Sequence, residues 1–148
     1  MTEQQVLQKL AALCARGEHC QYELTEKMRR WEIDAETQAR VMEKLTAAHY
    51  VDDERYARAF VNDKIRFAKW GRLKVEQALR LKHISEDISR QVLDEVEGDA
   101  YTETLRQLLA QKRKTVKAQS PYELNQKLIR FAMSRGFTYD IIRQCLDE

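Results

Sequence analysis

Proline occurs once and glycine four times in the 148 residues. A β-sandwich or a dinucleotide-binding α/β domain turns often and draws on both residues, so this scarcity argues for long helices. The four glycines stand alone, and no glycine-rich phosphate cradle, nucleophile elbow or H-E-x-x-H pair occurs. That leaves no recognisable catalytic motif and no nucleotide site. Cysteine is represented only by Cys14, Cys20 and Cys145. An odd, irregularly spaced trio is no disulfide framework and points to a reducing cytoplasm. The first residues carry no basic start followed by an apolar run, and no stretch of 18 apolar residues exists. Neither a secretion signal nor a membrane span is expected.

What is abundant is charge, at 34% of residues, beside 43% hydrophobic residues. The formal net charge of +2 says little, but the distribution is uneven. Lys64, Arg66, Lys69, Arg72, Lys74, Arg80 and Lys82 face a single acid, Glu76, in the same stretch. Arg106, Lys112, Arg113, Lys114 and Lys117 follow with no acid among them. Between the two lie Glu86, Asp87, Asp94, Glu95, Glu97, Asp99 and Glu103, opposed by Arg90. Such blocks suit a protein that meets a polyanion with one face and a protein with another.

Punctuation divides the chain into nine helices. Thr2 and Gln5 form a capping box whose helix stops at Gly17. A second helix runs from about Cys20 to Trp31, and Asp34 caps a third. Asp52 or Asp53 caps a fourth, with Tyr56, Phe60 and Phe67 as its apolar stripe. Gly71 precedes a fifth carrying Val75 and Leu79, and Ser85 caps a sixth. Gly98 and Asp99 separate the sixth from the seventh. Ser120-Pro121-Tyr122-Glu123 opens the eighth, Gly136 ends it and Thr138 opens the ninth.

The helices repeat. Ile33-Asp34, Ile84-Ser85 and Phe137-Thr138 are each an apolar residue followed by a cap. Aligned on these pairs, Leu24, Val75 and Leu128 coincide, as do Met28, Leu79 and Ala132, and Val41, Val92 and Cys145. Thr37 breaks the pattern set by Ile88 and Ile141. The reading is an all-α protein of three tandem three-helix repeats, 1–50, 51–98 and 99–148, stacked into an elongated, curved array.

Each polar site admits both a functional and a plainer structural role. Cys14, His19, Cys20 and His49 fit no usual zinc spacing, and the histidines sit at helix ends, where capping is the simpler role. No metal or cofactor is expected. Asp52 and Asp53 read as a cap and a helix-dipole partner rather than as an acid–base pair. Trp70 can stack on a base or pack between units. The candidate partner-binding residues are Lys64, Arg66, Lys69, Trp70, Arg72, Lys74 and Lys82, with Lys112, Arg113, Lys114 and Lys117. Of these, Lys69, Arg72 and Lys74 stand out, because free amides at the start of the fifth helix would join them in attracting anions.

Tyr50-Val51-Asp52-Asp53-Glu54-Arg55-Tyr56-Ala57 resembles the signature of the RecX family. Lys69-Trp70-Gly71, then Val75, Leu79, Lys82 and Ile84, resembles the segment that follows it there, with His83 where glycine is usual. Cys20-Gln21-Tyr22-Glu23-Leu24 is similar to the first-unit motif, with Cys20 replacing a capping serine. Lys127, Arg130-Phe131, Arg135-Gly136-Phe137 and Ile141 fit the third unit. The resemblance is specific in residues 50–84 and looser elsewhere. It implies a non-enzymatic regulator that binds the RecA filament on single-stranded DNA and restrains its ATPase, strand-exchange and co-protease activities. In that picture the protein is a monomer with weak direct DNA contact. Tyr50, Asp52, Asp53, Arg55, Tyr56 and Gly71 would be mainly structural. The alternatives are a helical nucleic-acid-binding protein that acts without RecA, and a protein-only scaffold.

Overall fold

The computed structural model describes residues 1–96 and 98–147. All regular structure among them is helical: α1 (Glu3–Arg16), α2 (Gln21–Arg30), α3 (Ala35–Ala47), α4 (Asp53–Arg66), α5 (Arg72–Leu81), α6 (Glu86–Asp94), α7 (Gly98–Arg113), α8 (Pro121–Ser134) and α9 (Tyr139–Leu146). The caps follow local chemistry. Thr2, Asp34, Asp52, Ser85 and Ser120 each accept a backbone N–H from three residues onward, which satisfies one of the free amides at a helix start. Two expectations shift. Gly98 and Asp99 lie inside the first turn of α7 rather than between helices. Phe67 is the C-cap of α4 and 79% exposed, because the stripe that is buried is Tyr56, Ala57, Val61 and Ile65.

The repeat has a structural cause. Glu32, His83 and Gly136 occupy equivalent places and all have positive φ, at 57°, 57° and 99°. Each reverses the chain after the middle helix of its unit. The next amide then reaches back five residues, from Ile33 to the Met28 carbonyl (3.0 Å), Ile84 to Leu79 (3.1 Å) and Phe137 to Ala132 (3.2 Å). The residues aligned from sequence, Leu24, Met28, Val41, Val75, Leu79, Val92, Leu128 and Ala132, are buried, and Cys145 is half-buried.

The units associate unequally. α1–α3 enclose their own cluster of Val6, Leu10, Leu24, Met28, Val41, Leu45 and Val51. α4–α9 share a second, continuous cluster that runs from Tyr56 and Val61 through Leu79 and Leu105 to Phe137 and Ile142. The first unit therefore closes a core of its own, while the second and third close one together. The accessible surface is 9497 Å², against about 7,900 Å² for a compact monomer of the same 17.5 kDa mass, as an elongated stack requires.

Candidate functional site

Two glycines weld the second unit to the third. Gly71 N–H donates to the Arg135 carbonyl at 2.7 Å, and Leu73 N–H donates to the Gly136 carbonyl at 3.1 Å. The approach is so close that a Cβ on Gly71 would lie 2.2 Å from the Gly136 carbonyl carbon. A Cβ on Gly136 would lie 2.5 Å from that of Lys74. The Arg72 N–H between these two donates to the Tyr101 hydroxyl at 2.9 Å. The amides of Gly71, Arg72 and Leu73 at the start of α5 are thus engaged within the molecule, which takes up most of the donors expected to attract an anion there.

Around this weld lie two rings, each facing two cations. Lys64 Nζ and Lys74 Nζ sit 4.9 and 4.4 Å from the centre of the half-buried Trp70 ring. Lys112 Nζ and the Arg135 guanidinium sit 4.7 and 5.1 Å from the Phe131 ring. Each contact is of a kind that stabilises by about 0.5–1 kcal/mol at an exposed site and holds its cation in place. Because Arg135 and Gly136 touch Gly71 and Lys74, the clusters form one basic, aromatic seam across both units. Phe131 and Arg135 were not among the candidates from sequence. The signal for them was their place in the third-unit motif beside Gly136.

The other candidates disperse. Arg72 pairs with Asp94 at 2.8 Å, and Lys82 pairs with Glu23 at 3.1 Å. Lys69 takes a left-handed conformation at φ 56° in the loop before α5, and Arg66 is exposed at the end of α4. Arg113 and Lys114 line a groove against α9, away from Lys112. Lys117 is exposed, and its carbonyl accepts from Lys127 Nζ at 2.7 Å. The acidic stretch is partly engaged within the molecule: Glu95 holds Arg58 through two bonds of 2.8 Å, and Glu103 holds Arg106 at 3.3 Å. Glu97 lies outside the described residues.

The motif at residues 50–57 builds the joint between the first and second units. Asp52 caps α4, whereas Asp53 reaches across and accepts the Gln21 N–H at 2.9 Å. Burial, together with the neighbouring Asp52, raises the Asp53 carboxyl above its ordinary value despite that bond. Arg55 pairs with Glu18 at 2.7 Å and also donates to the exposed Tyr50's carbonyl. Tyr56 is buried among the shared core. Tyr22 stacks on His83 at 4.1 Å. Cys20 is more than a weakened cap. Its N–H donates to Glu23 Oε1 at 3.2 Å, and its buried thiol points across the joint to the Lys82 carbonyl at 3.8 Å. Burial pushes that thiol up to about 11. Among the described residues no three His, Cys, Asp or Glu side chains gather as a metal site, and Cys20 is turned into the joint.

Comparison with known proteins places these features. Residues 52–93 match the second three-helix domain of RecX, and residues 99–146 match the third. A regulatory protein RecX from Acinetobacter baylyi is 30% identical over 135 residues, 91% of this chain and 82% of the relative. One from Prosthecochloris aestuarii is 31% identical over 131 residues, 88% of this chain and 84% of the relative. A relative from Clostridium perfringens is 32% identical over 120 residues, 80% of this chain but 56% of the relative, so the chain spans just over half of that longer protein. The crystal structure of RecX from Lactobacillus salivarius superposes with a TM-score of 0.91 at 18% identity, covering 98% of this chain and 94% of that one. A chain with nine helices among its described residues, this repeat, this motif at its first joint and these relatives belongs to the RecX family of regulatory proteins.

Proposed function

We propose that this chain binds RecA filaments on single-stranded DNA and restrains their ATPase, strand-exchange and co-protease activities. It acts in the cytoplasm as a monomer without a cofactor, and the seam between its second and third units is the contact surface. The observation that carries this reading is the pairing of Trp70 and Phe131 with four cations on a backbone-welded platform. Ring faces accept bases or partner side chains, and fixed cations attract phosphates. An elongated stack lies along a filament more readily than it encloses a small substrate. Internal pairing of Arg72, Lys82 and Arg58 lowers the charge left for DNA alone. That favours a filament partner over RecA-independent DNA binding.

The test is the DNA-dependent ATPase of the cognate RecA with this protein titrated in. Wild type should inhibit at less than one molecule per RecA protomer. The K64A/K74A/K112A variant should inhibit more weakly and depend less on salt, with a slope in log–log form smaller by roughly two. Unchanged hydrolysis at excess wild-type protein would refute the function. A folded triple variant as potent as wild type at low and high salt would refute the surface.

A further inference from the structure

The basic run of residues 106–117 reads in sequence as one patch, but the fold divides it. Lys112 turns toward α8 and the Phe131 ring. Arg106, Arg113 and Lys114 turn the other way and, with Leu109, Ala110, Cys145 and Leu146, line a groove of about 320 Å³ between α7 and the last turn of α9. The division follows from helical periodicity. Arg106, Leu109, Ala110 and Arg113 are three or four residues apart and share one face of α7, whereas Lys112 lies round the helix beside the buried Leu105 and Leu108.

We infer that this groove docks an acidic protein segment that inserts one apolar side chain. Charge complementarity identifies the occupant. No Asp or Glu is among the described lining residues, and Arg113 and Lys114 are exposed with no ion pair among the described residues. The floor is apolar: Leu109 is buried, and Leu146 and Cys145 are half-buried. The volume equals that of roughly ten waters, which admits one large apolar side chain.

Attraction of Arg113 and Lys114 to the C-terminal end of α7 explains cations there, but not the apolar floor beside them. Nucleic acid fits less well. Among the described residues that line it, the groove has no aromatic ring to stack a base, whereas the seam has Trp70 and Phe131. The inference stands apart from the filament reading, because the two surfaces use different residues of the same basic run.

The experiment is a titration of the ¹⁵N-labelled 148-residue chain with a capped peptide, Asp-Glu-Leu-Phe-Glu-Asp. Parallel titrations use its counterpart with lysine at every acidic position, and a 15-residue oligothymidylate. The acidic peptide should shift the amides of Ala110, Arg113, Lys114 and Leu146 and leave the Trp70 indole unmoved. The lysine peptide should shift none of them. Arg113→Glu with Lys114→Glu should weaken binding at least about tenfold. Ala110→Trp, which fills the groove and keeps every charge, should abolish it while the helical circular dichroism stays as in wild type. Absence of acidic-peptide binding overturns the inference. So does binding at the seam, equal response to the lysine peptide, or oligothymidylate occupying the groove more tightly than the peptide.

Discussion

Gly71→Ala should loosen the third unit from the second without altering a single core side chain. A Cβ there would sit 2.2 Å from the Gly136 carbonyl carbon and 2.4 Å from the Gly136 oxygen and the Phe137 nitrogen, all of them backbone atoms that cannot rotate away. Ordinary contact begins at 3.4 Å, so the two segments must part by about 1.2 Å. Parting by that much stretches the Gly71–Arg135 bond of 2.7 Å and the Leu73–Gly136 bond of 3.1 Å beyond hydrogen-bonding range. Two lost bonds amount to about 2 kcal/mol. Crowding adds about 1–3 kcal/mol. The lower chain entropy of alanine in the unfolded state returns about 0.4–1 kcal/mol. The net destabilisation is about 3 kcal/mol, or a fall in melting temperature of roughly 10 °C for a chain of this size.

Urea unfolding followed by circular dichroism measures it. Gly136→Ala meets the same wall from the other side, with positive φ besides, so the double variant should be less destabilised than the two singles together. Gly98→Ala is the control. Nothing lies within 4 Å of its Cβ, it stands in the first turn of α7, and alanine there should be neutral or stabilising by up to about 1 kcal/mol. A Gly71→Ala protein within about 0.5 kcal/mol of wild type, or strict additivity in the double variant, would refute the weld.

Two further outcomes concern the joint. Burial alone would raise the Glu23 carboxyl, but its bonds to Lys82 and to the Cys20 N–H outweigh burial and hold it below its ordinary 4.5. A lowered acid stabilises the fold above its unfolded value and loses that contribution as pH falls below it. Glu23→Gln should therefore flatten the loss of stability below about pH 4.5, and an unaltered acid profile in denaturant titrations would count against the ion pair. His83→Gly relieves a left-handed residue, worth about 1–2 kcal/mol, but removes the Tyr22 stack, worth about 0.5–1.5 kcal/mol. Overall stability should stay within about 1 kcal/mol of wild type while hydrogen exchange quickens in α2; unchanged exchange there would mean that the stack does not hold the joint.

Much of this molecule was legible in its sequence because the information is local. A helix cap involves residues three apart, as with Ser85 and Ile88 or Asp34 and Thr37, and a left-handed turn is closed by amides reaching back five residues. These short-range rules determined the nine helices of the described residues, their three-fold repeat and most of the core positions. The seam was not legible, because it depends on atoms far apart in the chain. Nothing near Gly71 announces that Gly136 will press against it, and nothing in Lys112-Arg113-Lys114 says that one cation faces Phe131 while the other two line a groove. Asp52 and Asp53 are neighbours of one chemistry, yet one caps its own helix and the other holds the preceding unit. Successive helical residues point about 100° apart. Only the packing of the units decides what each direction meets.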